Sequence, residues 1–200
     1  MTELVLATRN AHKTREFREL LGRDFELVDL SAFPQITLHS ETGGTFEENA
    51  ILKATAVSQD QQVRDRHLLA LADDSGLEVD ALGGAPGVFS ARYAGEKATD
   101  RDNIDKLLRE LSQRRNRAAR FRCVLALARG GEVLKTFEGV VRGRIVDVPR
   151  GVHGFGYDPV FVAAGCDQTF GELPPEVKNQ ISHRARATRR LRVALQNALA

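Results

Sequence analysis

The chain has 200 residues, of which 42% are hydrophobic, and a formal net charge of only +2. That is enough apolar material for one domain with its own core, and the two cysteines, far apart and without metal-ligand spacing, point to a reduced, cytoplasmic setting rather than to a disulfide scaffold or zinc site. The N-terminus lacks a basic stretch followed by a long apolar core, and no apolar run approaches the ~18 residues of a membrane helix, so neither secretion nor a membrane partner is expected.

Leu4-Val5-Leu6-Ala7 reads as a short buried strand. Thr8 to Lys13 then forms a polar loop, and Phe17, Leu20 and Leu21 recur at helical spacing before Gly22 closes the helix. Strand, loop and helix in that order present backbone N–H groups and the positive end of a helix dipole to an anion. Asn10 is placed to cap this helix, which leaves Lys13 in the first turn, where its cation opposes the macrodipole. A phosphate ligand would explain that choice, although an exposed lysine costs little there.

A second helix is expected from Thr45, with Glu48 in capping-box position and Phe46, Ala50, Ala54 and Val57 on its inner face. The apolar run Leu68-Leu69-Ala70-Leu71 reads as a buried strand, with Asp73 and Asp74 at its exit before Ser75-Gly76. Taken alone, this acidic stretch reads first as an ordinary turn and only second as a pair of carboxylates of the kind Mg²⁺ takes, since that cation completes its shell with water and substrate phosphates.

Thr99 with Asp102 starts a further helix, whose stripe is Ile104, Leu107, Leu108 and Leu111. After the polar connector Gln113 to Arg117, alternation of Phe121, Cys123, Leu125 and Leu127, the turn Gly130-Gly131 and the return from Val133 to Phe137 predict a β-hairpin. Val140 to Val146 and Val160 to Val162 supply more strands, and Ser182 opens a closing helix with Ala187, Leu191, Ala194, Leu195 and Ala198 inward. The class is therefore α/β with a mixed sheet, organised as one domain over residues 1–200. There is no Gly-Lys-Ser/Thr phosphate loop and no dinucleotide glycine pattern. Arg15 to Gly22 resembles a Nudix box, but Leu20 stands where that box needs an acid. The arginines from Arg184 to Arg192 form a solvated helix face or, less favoured, a nucleic-acid contact, because no aromatic residues interleave to stack bases.

As a set, Thr8-x-Asn10-x-x-Lys13, Thr45-Phe46-x-Glu48-Asn49-Ala50, Asp73-Asp74-Ser75-Gly76-Leu77, Leu82-Gly83-Gly84-x-Pro86-Gly87, Gly154-Phe155-Gly156-Tyr157-Asp158-Pro159 and Ser182-His183-Arg184 closely resemble the inosine triphosphate pyrophosphatases, also called dITP/XTP pyrophosphatases. The resemblance runs from Leu4 to the last helix. It implies a mixed central sheet flanked by helices in an elongated, two-lobed subunit with the active cleft between lobes, a homodimer, Mg²⁺ as cofactor, and hydrolysis of non-standard purine nucleoside triphosphates (ITP, dITP, XTP) to the monophosphate and pyrophosphate. The alternative is a catalytically silent nucleotide-binding sensor. Arg9, where a small residue is frequent, His12, where glycine is frequent, and the missing aromatic near Val141 depart from the family pattern.

The residues suit that chemistry. Release of pyrophosphate needs water to attack the α-phosphorus and cations on the leaving side. Thr8, Arg9, Asn10, Ala11, His12 and Lys13 would hold phosphates. Asp74 would bind Mg²⁺ or orient the water, and Ser75 adds a hydroxyl. In strand geometry Asp73 and Asp74 face opposite ways, and the resemblance assigns the metal to Asp74 with Asp73 behind it. Glu41 is implied to help hold magnesium; Glu48 is either a metal ligand or the return arm of a capping box; Lys53 either reaches the phosphates or is an exposed helical lysine. Phe155 would stack on the purine in a loop with Gly156 and Asp158, and Tyr157 either walls the pocket or is a core aromatic. His183 and Arg184 can donate to a 6-keto oxygen, which adenine lacks, and Lys178 is implied as a further ligand-binding lysine.

Overall fold

The computed structural model describes residues 2–38 and 41–199, without the side chains of 198 and 199. Ser40, in the glycine-containing stretch before the second helix, and the inward placement of Ala198 therefore lie outside the described residues. Six strands form one mixed sheet in the order β2-β1-β3-β4-β5-β6. They are β1 (Thr2–Leu6), β2 (Phe25–Asp29), β3 (Leu69–Val79), β4 (Ala118–Arg129), β5 (Glu132–Ile145) and β6 (Phe161–Ala163), accompanied by helices α1 (Ala11–Leu21), α2 (Phe46–Gln59), α3 (Gln61–Asp65), α4 (Asp100–Leu111), α5 (Pro175–Ile181) and α6 (His183–Leu199). β1 pairs in parallel with β2 and with β3, whereas β5 and β6 are antiparallel.

The chain divides into two compact units. Unit one takes the chain up to Asp74, Cys123–Gly139 and the chain from Ala185; unit two takes Ser75–Arg122 and Val140–Arg184. Each has its own apolar core. In unit one, Leu4 and Leu6 of β1 pack with Phe17 and Leu21 of α1, Leu125 and Leu127 of β4, and Leu191 and Leu195 of α6. In unit two, Ile104, Leu107 and Leu111 of α4 pack with Phe121 of β4, Val141 and Ile145 of β5, and Phe161 and Phe170. Val141, where an aromatic residue is missing, is buried in this second core.

Local chemistry accounts for the helix starts. Asn10 Oδ1 accepts from the His12 and Lys13 amides, Thr45 Oγ1 from the Glu48 amide, and Thr99 and Asp102 complete a reciprocal capping box, each satisfying amides that the first helical turn leaves without partners. Gly22, with φ 70°, closes α1 in a conformation that only glycine takes without strain. Gly130 and Gly131, both at positive φ, make the tight turn between β4 and β5.

The structure differs from the sequence reading at several points. β3 does not stop before the acids: it continues through Asp73, Asp74, Ser75 and Gly76 to Val79, so the carboxylates project from mid-strand and the turn is absent. Phe25–Asp29, Gln61–Asp65 and Pro175–Ile181 form elements that short patterns did not announce. The segments from Val133 and from Val140 are one strand, with Gly143 inside it because β6 comes so close that a Cβ there would lie 2.1 Å from the Val162 carbonyl oxygen.

Candidate functional site

In unit one the loop after β1 is drawn together by its own side chains. The Asn10 amide donates to Thr8 Oγ1 at 3.1 Å, and Asn10 caps α1 through His12 and Lys13. Lys13 then reaches back from the first turn to β3, with Nζ 3.1 Å from Asp73 Oδ2. Arg9 does something else. Its guanidinium donates to the carbonyls of Leu30, Pro34 and Ile36, so its side chain ties down the segment after β2 while its backbone stays in the loop.

Asp73 and Asp74 are 4% exposed each. Strand alternation sends them to different partners: Asp73 meets Lys13 and the Cys123 thiol, the latter at 3.4 Å, whereas Asp74 Oδ1 accepts from Lys53 Nζ of α2 at 2.9 Å. The same Nζ donates to Glu41 at 2.8 Å and to the Asp73 carbonyl at 2.9 Å. Lys53 is thus a buried hub, not an exposed helical lysine. Two lysines here face three carboxylates, which leaves one negative charge in excess when all are ionised.

The titration of the pair is set first by burial and then by the charges around it. Burial pushes the Asp74 carboxyl up, Lys53 opposes this, Glu41 adds its repulsion, and the result is about 6. Burial acts to lower Lys53, but Asp74 and Glu41 outweigh it and hold the ammonium above the ordinary lysine value. Both partners therefore shift upward. One lysine shared by two acids leaves Asp74 above the ordinary carboxylate value, while two acids keep the lysine charged.

This arrangement fits a hard divalent cation. Asp74 Oδ2 is buried and has no hydrogen-bond partner among the described residues, an unfavourable state for a carboxylate oxygen unless a ligand meets it. Such a cation takes one or two carboxylates, here Asp74 and Glu41, and fills its shell with water and phosphate oxygens. Glu41 and Asp74 converge on one ammonium; Glu48 instead accepts the Gly44 amide at 2.7 Å. That bond is a capping contact shifted by one residue, since its acceptor serves the amide before Thr45 rather than that of Thr45.

Unit two holds the aromatic and basic residues singled out from the sequence. The Phe155 amide donates to Asp158 Oδ2 at 2.9 Å, the Gly156 amide to Asp100 Oδ2 at 2.6 Å, and Lys178 Nζ to Asp158 Oδ2 at 2.5 Å. Asp158 is thus the internal brace of the loop. Tyr157 is 4% exposed and its hydroxyl donates to the Ser90 carbonyl, which makes it a core aromatic. The Phe155 ring has Lys178 Nζ at 5.2 Å and Arg184 Cζ at 5.6 Å from its centroid. Arg184, 1% exposed, donates to Ser75 Oγ at 2.8 Å, and the His183 ring stacks on Phe121 at 4.7 Å. A π face next to fixed donors is what a purine with a keto oxygen requires.

Several supporting residues escaped the sequence reading: Cys123 beside Asp73, Ser90 and Asp100 under the Phe155 loop, and Phe121 against His183. Their partners are far away in sequence, so no local signal marked them. In α6, Arg190 donates to the Glu138 carbonyl and Arg192 to Asp24.

Comparison with known proteins brings these features together. A model of the Ham1 family matches residues 4–194. The dITP/XTP pyrophosphatase of Bacillus licheniformis is 48% identical over 204 residues, covering 99% of this chain and 100% of that protein; the protein of the same name from Geobacter sulfurreducens is 50% identical over 190 residues, 94% of this chain and 93% of its own length. A HAM1 protein from Coxiella burnetii has a structure that superposes with a TM-score of 0.87 at 42% identity, covering 98% of this chain and 100% of that one. The Staphylococcus aureus Ham1 protein gives 0.85 at 41% identity over 98% of this chain and 100% of that one.

Proposed function

The chain belongs to the Ham1 family, and from that premise we propose that it is a Mg²⁺-dependent pyrophosphohydrolase that converts ITP, dITP and XTP to the monophosphate and pyrophosphate. The observation that carries this reading is the Lys13–Asp73 and Glu41–Lys53–Asp74 cluster, which combines cations for a triphosphate with a carboxylate oxygen that has no hydrogen-bond partner among the described residues.

In the reaction the oxygen of a water molecule bonds to the α-phosphorus, the bond from that phosphorus to the α–β bridging oxygen breaks, and charge accumulates on the departing pyrophosphate. Lys13 and the N-terminus of α1 offset that charge. Asp74, with Oδ1 held by Lys53, presents Oδ2, and together with Glu41 would hold Mg²⁺ and orient the attacking water. The ion, when bound, supplies Lewis-acid stabilisation of phosphoryl oxygens. Asp73 keeps Lys13 aimed, and Lys53 spaces the two metal-holding acids.

Base selection falls to unit two. Phe155 offers its ring to the purine, and His183 and Arg184 direct donors at a 6-keto oxygen. Adenine places an amino group there and would leave those donors unpaired, which such sites reject strongly. Guanine shares the keto oxygen, so its exclusion is assigned to contacts near the purine 2-position. The resemblance further implies a homodimer acting in the cytoplasm. Among the described residues, no helix is long and apolar enough to cross a membrane.

The test is to incubate the pure protein and Mg²⁺ with ITP, dITP, XTP and the four ordinary triphosphates and resolve the products. Inosine monophosphate with pyrophosphate, and a marked preference for the non-standard bases, is the expected result. Diphosphate with inorganic phosphate, or indifference to the base, overturns the reading.

A further inference from the structure

Asn49 lies on α2 one helical turn before Lys53, on the same face of the helix, and is 1% exposed. Its Oδ1 accepts the Gly43 amide at 2.8 Å. The amide orientation is set by this bond, because a backbone N–H can only face an acceptor. The other end, Nδ2, is buried with no hydrogen-bond partner among the described residues. A buried donor in that condition is unfavourable and uncommon, and it lies on the helix face that also carries Lys53, the lysine on which Glu41 and Asp74 meet.

Gly43 is pressed against the helix so closely that a Cβ on it would lie 2.7 Å from Asn49 Oδ1, 2.7 Å from Glu48 Cβ and 3.0 Å from the Asn49 amide nitrogen. The next amide, of Gly44, is taken by Glu48 Oε2 at 2.7 Å. Consecutive amides of the segment that carries Glu41 are therefore clasped by consecutive side chains of α2, and Glu41 emerges two residues before the clasp with its carboxylate 2.8 Å from Lys53 Nζ.

We propose that Asn49 serves the reaction through both ends of its amide: Oδ1 positions the Glu41 segment through Gly43, and Nδ2 donates to a phosphate oxygen of the bound triphosphate. The second half rests on the pyrophosphohydrolase reading; the first does not. Gly43 is the second signature of the same device, since any side chain there would displace Asn49 and with it both functions.

The variants Asn49→Asp and Asn49→Leu separate the two roles. Asp keeps the acceptor for Gly43 and removes the donor; Leu, of similar size and neutral, removes both and introduces no repulsion toward phosphate. In hydrogen exchange, the Gly43 amide should be as protected in N49D as in wild type and markedly faster in N49L. Calorimetric titration with inorganic pyrophosphate in Mg²⁺, which needs no turnover, should show Kd raised about tenfold or more in both variants, with a matching rise in KM for ITP. Unchanged Gly43 exchange in N49L overturns the clasp, and pyrophosphate binding by N49L within about twofold of wild type overturns the donor. Turnover of ITP by the wild-type protein is scored separately, so a failure of the enzymatic reading is distinguishable from a failure of this one.

Discussion

Asp73 and Asp74 are adjacent on β3, yet each is tied to a lysine from a different helix, Asp73 to Lys13 of α1 at 3.1 Å and Asp74 to Lys53 of α2 at 2.9 Å. The two-residue period of a strand makes this division unavoidable, and it gives the acids different work. Asp73 Oδ2 holds Lys13 and Oδ1 accepts from the Cys123 thiol, while Asp74 keeps Oδ2 without a partner among the described residues.

Asp74→Asn should therefore lower kcat on ITP by about 10²–10³-fold with little loss of fold stability, because it removes a carboxylate that burial already disfavours. Asp73→Asn should cost on the order of 1–3 kcal/mol in stability and reduce activity more mildly, by loosening Lys13. Thermal unfolding and ITP turnover measured on both variants decide the matter. If Asp73→Asn abolishes turnover while Asp74→Asn is the one that melts early, the roles are reversed.

The parts of this site readable from the sequence are those with local causes. Asn10, Thr45 and Thr99 cap helices where spacing placed them, and of the apolar stripe of α4, Ile104, Leu107 and Leu111 are buried as its period required while Leu108 is only partly so. What was illegible depends on distant partners. Asp, Ser and Gly are poor strand formers, so β3 reads from the sequence as the run Leu68 to Leu71 with the acids at its exit, but Lys13 and Lys53 make a mid-strand acidic pair tenable. Arg9 has the chemistry of a phosphate ligand, and only folding reveals that three carbonyls after β2 occupy its guanidinium. Tyr157 shares a motif with Phe155 but points into the core, toward Ser90.

Glu78 provides a pH test in unit two. Its Oε2 accepts from Arg120 Nε at 2.5 Å and from Arg122 Nε at 3.1 Å. Burial acts to raise this carboxyl, but the two arginines outweigh it and hold it below its usual 4.5. A folded-state value below the unfolded one means that the stabilisation is fully present above pH 4.5 and is lost as pH falls through the lower, folded value. Glu78→Gln removes the titrating group. The gap in Tm between wild type and E78Q should be positive near neutral pH and should shrink once the pH drops below about 4.5. A gap that stays constant or widens on acidification rules out the arginine-held carboxylate as a source of stability.

Gly154 and Gly156 flank Phe155 and separate two kinds of glycine requirement. Both have positive φ, 73° and 59°, but a Cβ on Gly154 would lie 2.0 Å from Asp158 Oδ2, whereas one on Gly156 meets nothing within 4 Å. Gly156→Ala should cost only backbone strain, about 1 kcal/mol. Gly154→Ala adds a collision with the carboxylate that holds both the Phe155 amide and Lys178, so its cost should be larger, on the order of 2–3 kcal/mol. Because the collision moves the Phe155 loop and leaves the acids of β3 untouched, KM for ITP should rise in G154A while kcat changes less. Parallel melting curves and steady-state kinetics on the two variants provide the comparison, and equal effects would mean that Asp158 yields without cost and does not brace the loop.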